Sequence, residues 1–275
     1  MHNPKNRQYI SFREMDMLYD PLKDRIAGLI KVFPACRRLF YLMLNFLLLR
    51  QRYVFAEIRR YFRDGMRFYD AGAGFCQYSD FVLRHYPHAR VFATDLKSEY
   101  LSDYKAVAGS RFFYQTADLQ VFCPQYHYDM AIAIDILEHI PDDVNAMKNI
   151  YQALAPDGIL IISTPSDLDE AAKFTEEHVR PGYNKLELET KLTKIGFTIL
   201  SSRYSYGHWG ALSWKLLIKY PLALWAKCKP CSLLLPFWYL ILFPLAQLLM
   251  WLDMNTRVKQ GTGIIVVAQA KKGEG

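Results

Sequence analysis

A carboxylate and two glycines stand together in Asp70-Ala71-Gly72-Ala73-Gly74-Phe75-Cys76-Gln77, at the end of a β-rich stretch. Glycines in such a turn let the backbone approach a ligand closely. A dinucleotide fingerprint G-x-G-x-x-G needs a third glycine at position 77, where this chain has glutamine, which disfavours a pyrophosphate cradle. Asp70 ahead of the glycines suits a ligand with an ammonium group and no phosphate. Asp95 lies 25 positions beyond Asp70, where an acidic side chain accepts hydrogen bonds from both ribose hydroxyls. Asp118 is placed to accept from an adenine amino group, with a helix N-cap as its alternative role, and Asp135 is the next carboxylate in the series. His139, after Glu138, and His178, in Glu177-His178-Val179-Arg180, titrate in the range a general base needs. Their alternatives are a packing residue at a helix start for His139 and a loop residue for His178. Arg180 suits an anionic substrate group, but a surface pair with Glu176 or Glu177 is the favoured expectation.

These residues need strands to carry them. Runs rich in β-branched and aromatic residues at 67–70, 91–95, 111–116, 130–134 and 159–163 alternate with helical stretches near 78–85, 99–108 and 144–154. That alternation predicts βαβ units and a parallel sheet, with the four carboxylates at consecutive strand ends, facing the crevice where open α/β sheets bind ligands. Pro156-Asp157-Gly158 should stop the third helix; a fourth over 186–195, ended by Gly196, precedes strands at 197–203 and 264–270.

In order and context, FYDAGAG, VFATD, TADL, YDMAIAIDILEHIPD and LAPDGILIISTP resemble the class I S-adenosylmethionine-dependent methyltransferases, particularly the small-molecule branch that includes quinone-biosynthesis enzymes. The resemblance covers roughly residues 66 to 203 plus the final strand. It implies an α/β fold: a seven-stranded Rossmann-like sheet with helices on both faces. It implies S-adenosylmethionine as cofactor, with Asp70, Ala71, Gly72 and Gly74 around the methionine moiety and Asp95 and Leu96 on the ribose side. Asp118 and Leu119 would lie near the adenine, Asp135 on the cofactor's other side, and His139 in the family's LEH triplet. Phe75-Cys76-Gln77 departs from the family, which often has a further glycine there.

Within 275 residues, 52% hydrophobic and 15% aromatic, charge is unevenly spread. Residues 1 to 67 carry net +8, 68 to 204 net −7, and 205 to 261 net +5. Disorder and a small disulfide scaffold are excluded by this composition. The expected organisation is a helical, basic N-terminal arm or lid (1–66), a cofactor-binding core (67–204), a hydrophobic helical insertion between strands 6 and 7 (205–261), and the last strand and tail (262–275). Both flanks are apolar and basic, which fits an anionic membrane surface better than nucleic acid. The expected acceptor is therefore a hydrophobic small molecule, prenylated, long-chain aryl or polyene, with O-methylation favoured. A homodimer through the apolar flanks is the alternative use of that surface.

Five scattered cysteines and no early signal-peptide pattern point to the cytoplasm, peripherally at the inner face of a membrane. Cys228-Lys229-Pro230-Cys231 lacks a second pair, so no metal site is expected. The run from Cys231 to Leu252 is long enough to span a bilayer, yet its flanking strands should share one sheet, so helices laid flat are expected, broken into short pieces by Pro221, Pro236 and Pro244. A catalytically inactive cofactor-binding partner and a nicotinamide-dependent reductase are the competing functions; Gln77 and the lack of a well-placed Tyr-x-x-x-Lys disfavour the second.

Overall fold

The computed structural model describes residues 34–168, 179–227 and 233–272. Among the described residues two helices come first, α1 (Pro34–Leu47) and α2 (Leu49–Tyr61), parted at Leu48, whose backbone is extended. The alternating stretch then gives β1 (Arg67–Ala71), α3 (Gln77–His85), β2 (Arg90–Asp95), α4 (Ser98–Ala108), β3 (Phe112–Thr116) and β4 (Tyr128–Ile134). It continues through α5 (Asp143–Ala153), β5 (Leu154–Pro165), α6 (Lys185–Ile195) and β6 (Phe197–Ser205). The insertion supplies α7 (His208–Trp214), α8 (Tyr220–Lys227) and α9 (Leu235–Asn255) before β7 (Gly263–Ala270) closes the order.

The seven strands pair as β3-β2-β1-β4-β5-β7-β6, with β7 antiparallel to both neighbours and the rest parallel. Parallel strands buried on both faces read as apolar runs, and alternation assigns each side chain to one face. Phe68, Met130, Ile132, Ile161 and Ile265 join Tyr53 and Ile58 of α2 in one core. Tyr69, Ala131, Leu160, Ile162 and Val266 join Met147 and Ile150 of α5 and Leu188 of α6 in the other. The sheet therefore has helices on both faces, and α2 is part of its cover. β2 and β3 lie to one side of β1 and β4 and β5 to the other, so the crevice of an open α/β sheet falls between the carboxyl ends of β1 and β4.

Three local expectations are corrected. Pro156-Asp157-Gly158 does not follow the helix as a stop; α5 ends at Ala153 and β5 already runs through it, Asp157 adopting φ 60°. Asp142 accepts from the Asn145 N–H at 3.0 Å, capping α5 two residues earlier than its apolar pattern begins. Third, the prolines do not break the insertion into short pieces. Pro236 lies in the first turn of α9, where its missing N–H costs nothing, and Pro244 lies inside one continuous helix of 21 residues. Packing on both sides of Pro244 offsets its lost hydrogen bond: Trp238 Nε1 and Tyr239 Oη donate to the carbonyls of Leu216 and Leu217 at 2.9 and 2.8 Å, while Ala246 and Met250 are fully buried.

Candidate functional site

The glycine turn after β1 folds over the end of β2. The N–H groups of Gly72 and Ala73 both donate to the Thr94 carbonyl, at 2.8 and 3.0 Å. Gly72 has φ +79°, and a Cβ there would stand 2.6 Å from Ile136 Cγ1, so the turn packs directly against the loop after β4. Gly74 has φ +48°, but a Cβ there would meet nothing within 4 Å. Cys76 takes the left-handed conformation (φ 59°) where a glycine would be unstrained, and Gln77 opens α3.

Asp95 closes β2 and binds the turn. Its Oδ2 accepts from Gly74 N at 2.9 Å and its Oδ1 from Lys97 N at 2.9 Å, each oxygen keeping a lone pair for a ligand hydroxyl. Leu96 beside it is 69% exposed, an apolar edge on the rim. Asp135 follows β4 at φ 48°, its N–H donating to the Ser163 carbonyl at 2.8 Å. Its Oδ2 pairs with Arg50 of α2, and its Oδ1 is buried without a hydrogen-bond partner. Arg50 is thus the functional residue that sequence reasoning missed; no local pattern announces an ion pair across 85 positions.

Asp70 departs from the expected crevice-facing row. Its carboxylate is 2% exposed and accepts the Ser79 hydroxyl at 2.7 Å, turned toward the first turn of α3, whose free N–H groups compete for an acceptor. Burial pushes its carboxyl up to about 7, against the lowering effect of the Ser79 hydrogen bonds. Ala71 is fully buried beside it. Asp118 is committed locally, its Oδ1 accepting from Gln120 N at 2.9 Å, and Leu119 is 5% exposed with its side chain in the core. These two therefore bring backbone and one carboxylate to the β3 edge rather than an apolar side chain.

His139 ends a one-turn helix, Leu137–His139, just past β4 and is half-buried, while Glu138 before it is fully buried. Glu138 Oε2 accepts from Thr164 Oγ1 at the end of β5, 3.1 Å away, and its Oε1 is buried without a partner. Burial raises its carboxyl above the usual range. Glu176, Glu177 and His178, and with them the expected surface pair, lie outside the described residues; Arg180 itself is described. Its guanidinium donates to the carbonyls of Leu137, Ile140 and Pro141 and to Tyr183 Oη, clamping the loop that carries His139. Five donors in a planar fork suit it to three carbonyls of one loop, and the Asp143 carboxylate 3.7 Å away supplies the opposite charge. His88 is solvent-exposed, away from the crevice, where its ring meets Asp64 at 2.6 Å. Among the described residues no group of His, Cys, Asp and Glu is placed to hold a metal; Cys228 and Cys231 lie outside them.

Open space above Gly74, Asp95 beneath it, and unspent buried acceptors on Gln77, Asp135 and Glu138 offer room and hydrogen-bond capacity for a ligand with ammonium and hydroxyl groups. The residues fit that kind of cofactor at the switch between β1 and β4.

A family model described as a methyltransferase domain matches residues 69–160. A trans-aconitate 2-methyltransferase of Rhodopseudomonas palustris is 26% identical over 116 residues, 42% of this chain and 45% of that protein. The chain spans less than half the length of the curated relatives it matches. Among solved structures, a phosphoethanolamine N-methyltransferase 2 of Haemonchus contortus in complex with S-adenosyl-L-methionine superposes with TM-score 0.55 at 17% identity, covering 79% of this chain and 52% of that one. The cyclase SpnF does so with TM-score 0.55 at 16% identity over 96% and 98%. Likeness at such identities is likeness of fold.

Proposed function

We propose that the chain is a class I, S-adenosylmethionine-dependent methyltransferase acting on a hydrophobic small molecule, a reading that starts from the match of residues 69–160 to a methyltransferase domain. The observation that carries the reading is the joined tips of β1, β2 and β4: an open glycine turn held by Asp95, with Asp135 across the crevice. S-adenosylmethionine, when bound, supplies an already activated sulfonium methyl group. Asp95 would take its ribose hydroxyls, the glycine turn its methionine end, and the exposed Leu96 and the β3 edge at Asp118 its adenine. Asp70 contributes negative charge behind the turn.

Because the methyl group is activated, the chain's task is alignment and exclusion of water. Arg50 brings α2 across the crevice, which serves both. O-methylation is the favoured transfer, with His139 on the rim as general base for an acceptor hydroxyl; His178 is the second candidate. The acceptor is prenylated, long-chain aryl or polyene, drawn from a membrane, and the protein works in the cytoplasm at that membrane's inner face. Apolar flanks on both sides of the crevice-bearing core support this reading.

Calorimetry with S-adenosylhomocysteine tests the cofactor: micromolar binding, lost in Asp95→Ala, is expected, and no binding by the intact chain overturns the proposal. Transfer of labelled methyl from the cofactor into a lipid extract tests the activity. Binding without any transfer would mark an inactive partner protein instead.

A further inference from the structure

Helix α9 is apolar all round, and its two faces have different fates. One side bears Ala246, Leu249, Met250 and Asp253, all buried against the body of the protein. On the other side Phe237, Leu240, Ile241, Leu245, Leu248 and Trp251 recur at helical spacing and are exposed, Leu240 at 74% and Ile241 at 70%. Helix α1, nearly two hundred positions earlier, carries a second exposed stripe of Leu39, Leu42, Met43 and Phe46. The two helices meet: the rings of Phe46 and Phe243 lie edge to face at 5.6 Å, and Gln247 Nε2 donates to the Phe46 carbonyl at 3.1 Å. The stripes are thus neighbours, a patch far larger than singly scattered surface hydrophobics.

We propose that α1 and α9 form one platform that docks in the plane of an anionic lipid bilayer. The partner follows from charge. Helix α1 contains no acidic residue, and residues 205 to 261 contain one, Asp253, which is fully buried. Exposed cations stand on the elements that adjoin the platform: Arg38 on α1, Lys215 after α7, Arg257 and Lys259 just past α9. A second copy seated on the platform through a two-fold axis would bring two uncompensated positive rims together, whereas anionic headgroups complement them. The exposed Trp251 is of the kind that settles at the lipid–water boundary.

The geometry also decides lying against crossing. α9 is long and apolar enough to span. It is nevertheless bound to the body along its inner face, and β6 and β7 on either side of the insertion are antiparallel neighbours, Ser205 opposite Gly263. The chain leaves the sheet and returns to it at the same end, so the outer stripe can sink into the headgroup region while the core stays in water. The purpose assigned to this surface rests on the membrane-derived acceptor proposed above; the docking itself does not require catalysis.

Sedimentation of the purified full chain, without cofactor, with vesicles of phosphatidylcholine alone or with phosphatidylglycerol admixed tests the proposal. Binding to the anionic vesicles is expected, with Leu240→Glu/Ile241→Glu weakening it at least about tenfold. Arg38→Glu/Lys215→Glu should weaken it in low salt only. Unchanged melting temperatures and unchanged S-adenosylhomocysteine binding identify both variants as folded, and keep failure of docking distinct from failure of the cofactor reading. No association of the intact chain with anionic vesicles, or full association of the Leu240/Ile241 variant, overturns the proposal. So does a dimer in solution that this variant dissociates when neither form binds vesicles.

Discussion

Arg50, in the first turn of α2, forms an ion pair with Asp135 at the tip of β4, and its backbone N–H donates to Tyr206 Oη at 3.1 Å. One residue of the N-terminal arm therefore ties together the cofactor crevice and the start of the insertion. Removing the guanidinium strands a half-buried carboxylate whose other oxygen already lacks a partner. Arg50→Ala should lower stability by about 1–2 kcal/mol, a few degrees of melting temperature. Turnover should fall by about tenfold with cofactor affinity changed much less, because the arm covers the crevice rather than holding the ribose. Steady-state kinetics beside calorimetry separates the two; equal losses in both would place Arg50 on the cofactor.

The two glycines of the turn should respond differently to alanine. In Gly72→Ala the new methyl collides with Ile136 at 2.6 Å in addition to the positive φ, costing about 2–3 kcal/mol of stability. Gly74→Ala meets no atom, so only the strain of φ +48° remains, about 1 kcal/mol. Yet that methyl occupies the open space assigned to the cofactor, and S-adenosylhomocysteine affinity should drop by about tenfold or more. Melting curves and calorimetry on the pair read this crossover directly.

Asp253 holds the insertion in place. Fully buried, it accepts from Gly210 N at 2.9 Å, Tyr206 N at 3.1 Å and Tyr53 Oη at 3.0 Å, joining α7, α9 and α2. Alanine leaves two backbone N–H groups short of an acceptor, while Tyr53 Oη keeps the backbone carbonyl of residue 253 at 2.9 Å, at a cost of about 3 kcal/mol, or about 10 °C in thermal melting. Asn, which keeps one acceptor oxygen, should recover part of that loss. A variant Asp253→Ala that melts with the parent protein would show that the apolar contacts of α9 suffice by themselves.

How far these features were legible before the structure depends on the range of the interaction behind each. β-rich runs, their order and the carboxylates at their ends follow from local periodicity, and the tips of β1, β2 and β4 do come together. Asp70 could not be read correctly because its direction is settled by a competition between a ligand and the N-terminus of α3, which the sequence places equally near. Arg180 is similar: three of its partners are backbone carbonyls, which have no residue signature, beside Tyr183 Oη and the Asp143 carboxylate. Pro244 misled because the rule for proline concerns an isolated helix, and here tertiary packing on both sides overrides it. Asp253 did carry a signal, being the lone acid in an apolar, basic segment; a charge so placed has to be paired.

Asp70 should impose a pH dependence. Its carboxyl is raised to about 7 by burial, so the folded chain binds this proton more tightly than the unfolded one. The stabilisation is complete below the unfolded value of about 4 and disappears as pH rises through 7. Asp70→Asn should therefore flatten the decline in stability over that window. A bound ammonium favours the ionised carboxylate, so S-adenosylhomocysteine should bind about tenfold more tightly at pH 8 than at pH 6, and the variant should lose that slope. Calorimetry at the two pH values decides; an equal slope in the variant would clear Asp70 of the effect.

Glu138 and His139 can be told apart by opposite responses of stability and rate. Glu138 is fully buried, one oxygen bonded to Thr164 and the other without a partner, and burial holds its carboxyl above the ordinary range. Its stabilising contribution is present below the unfolded value and lost as pH rises through the folded one. Glu138→Gln removes the ionisation while keeping the shape and the Thr164 contact, so it should be at least as stable as the parent at pH 8, with the difference closing toward pH 5. If that carboxylate orients the neighbouring imidazole, the same variant should turn over more slowly and its pH–rate profile should shift. His139→Ala should instead leave stability nearly unchanged, because the ring is only half-buried, and cut transfer to a hydroxyl acceptor by about a hundredfold with cofactor affinity intact. Full turnover in His139→Ala at neutral pH would remove the imidazole from the chemistry and leave alignment across the Arg50-covered crevice as the source of the rate.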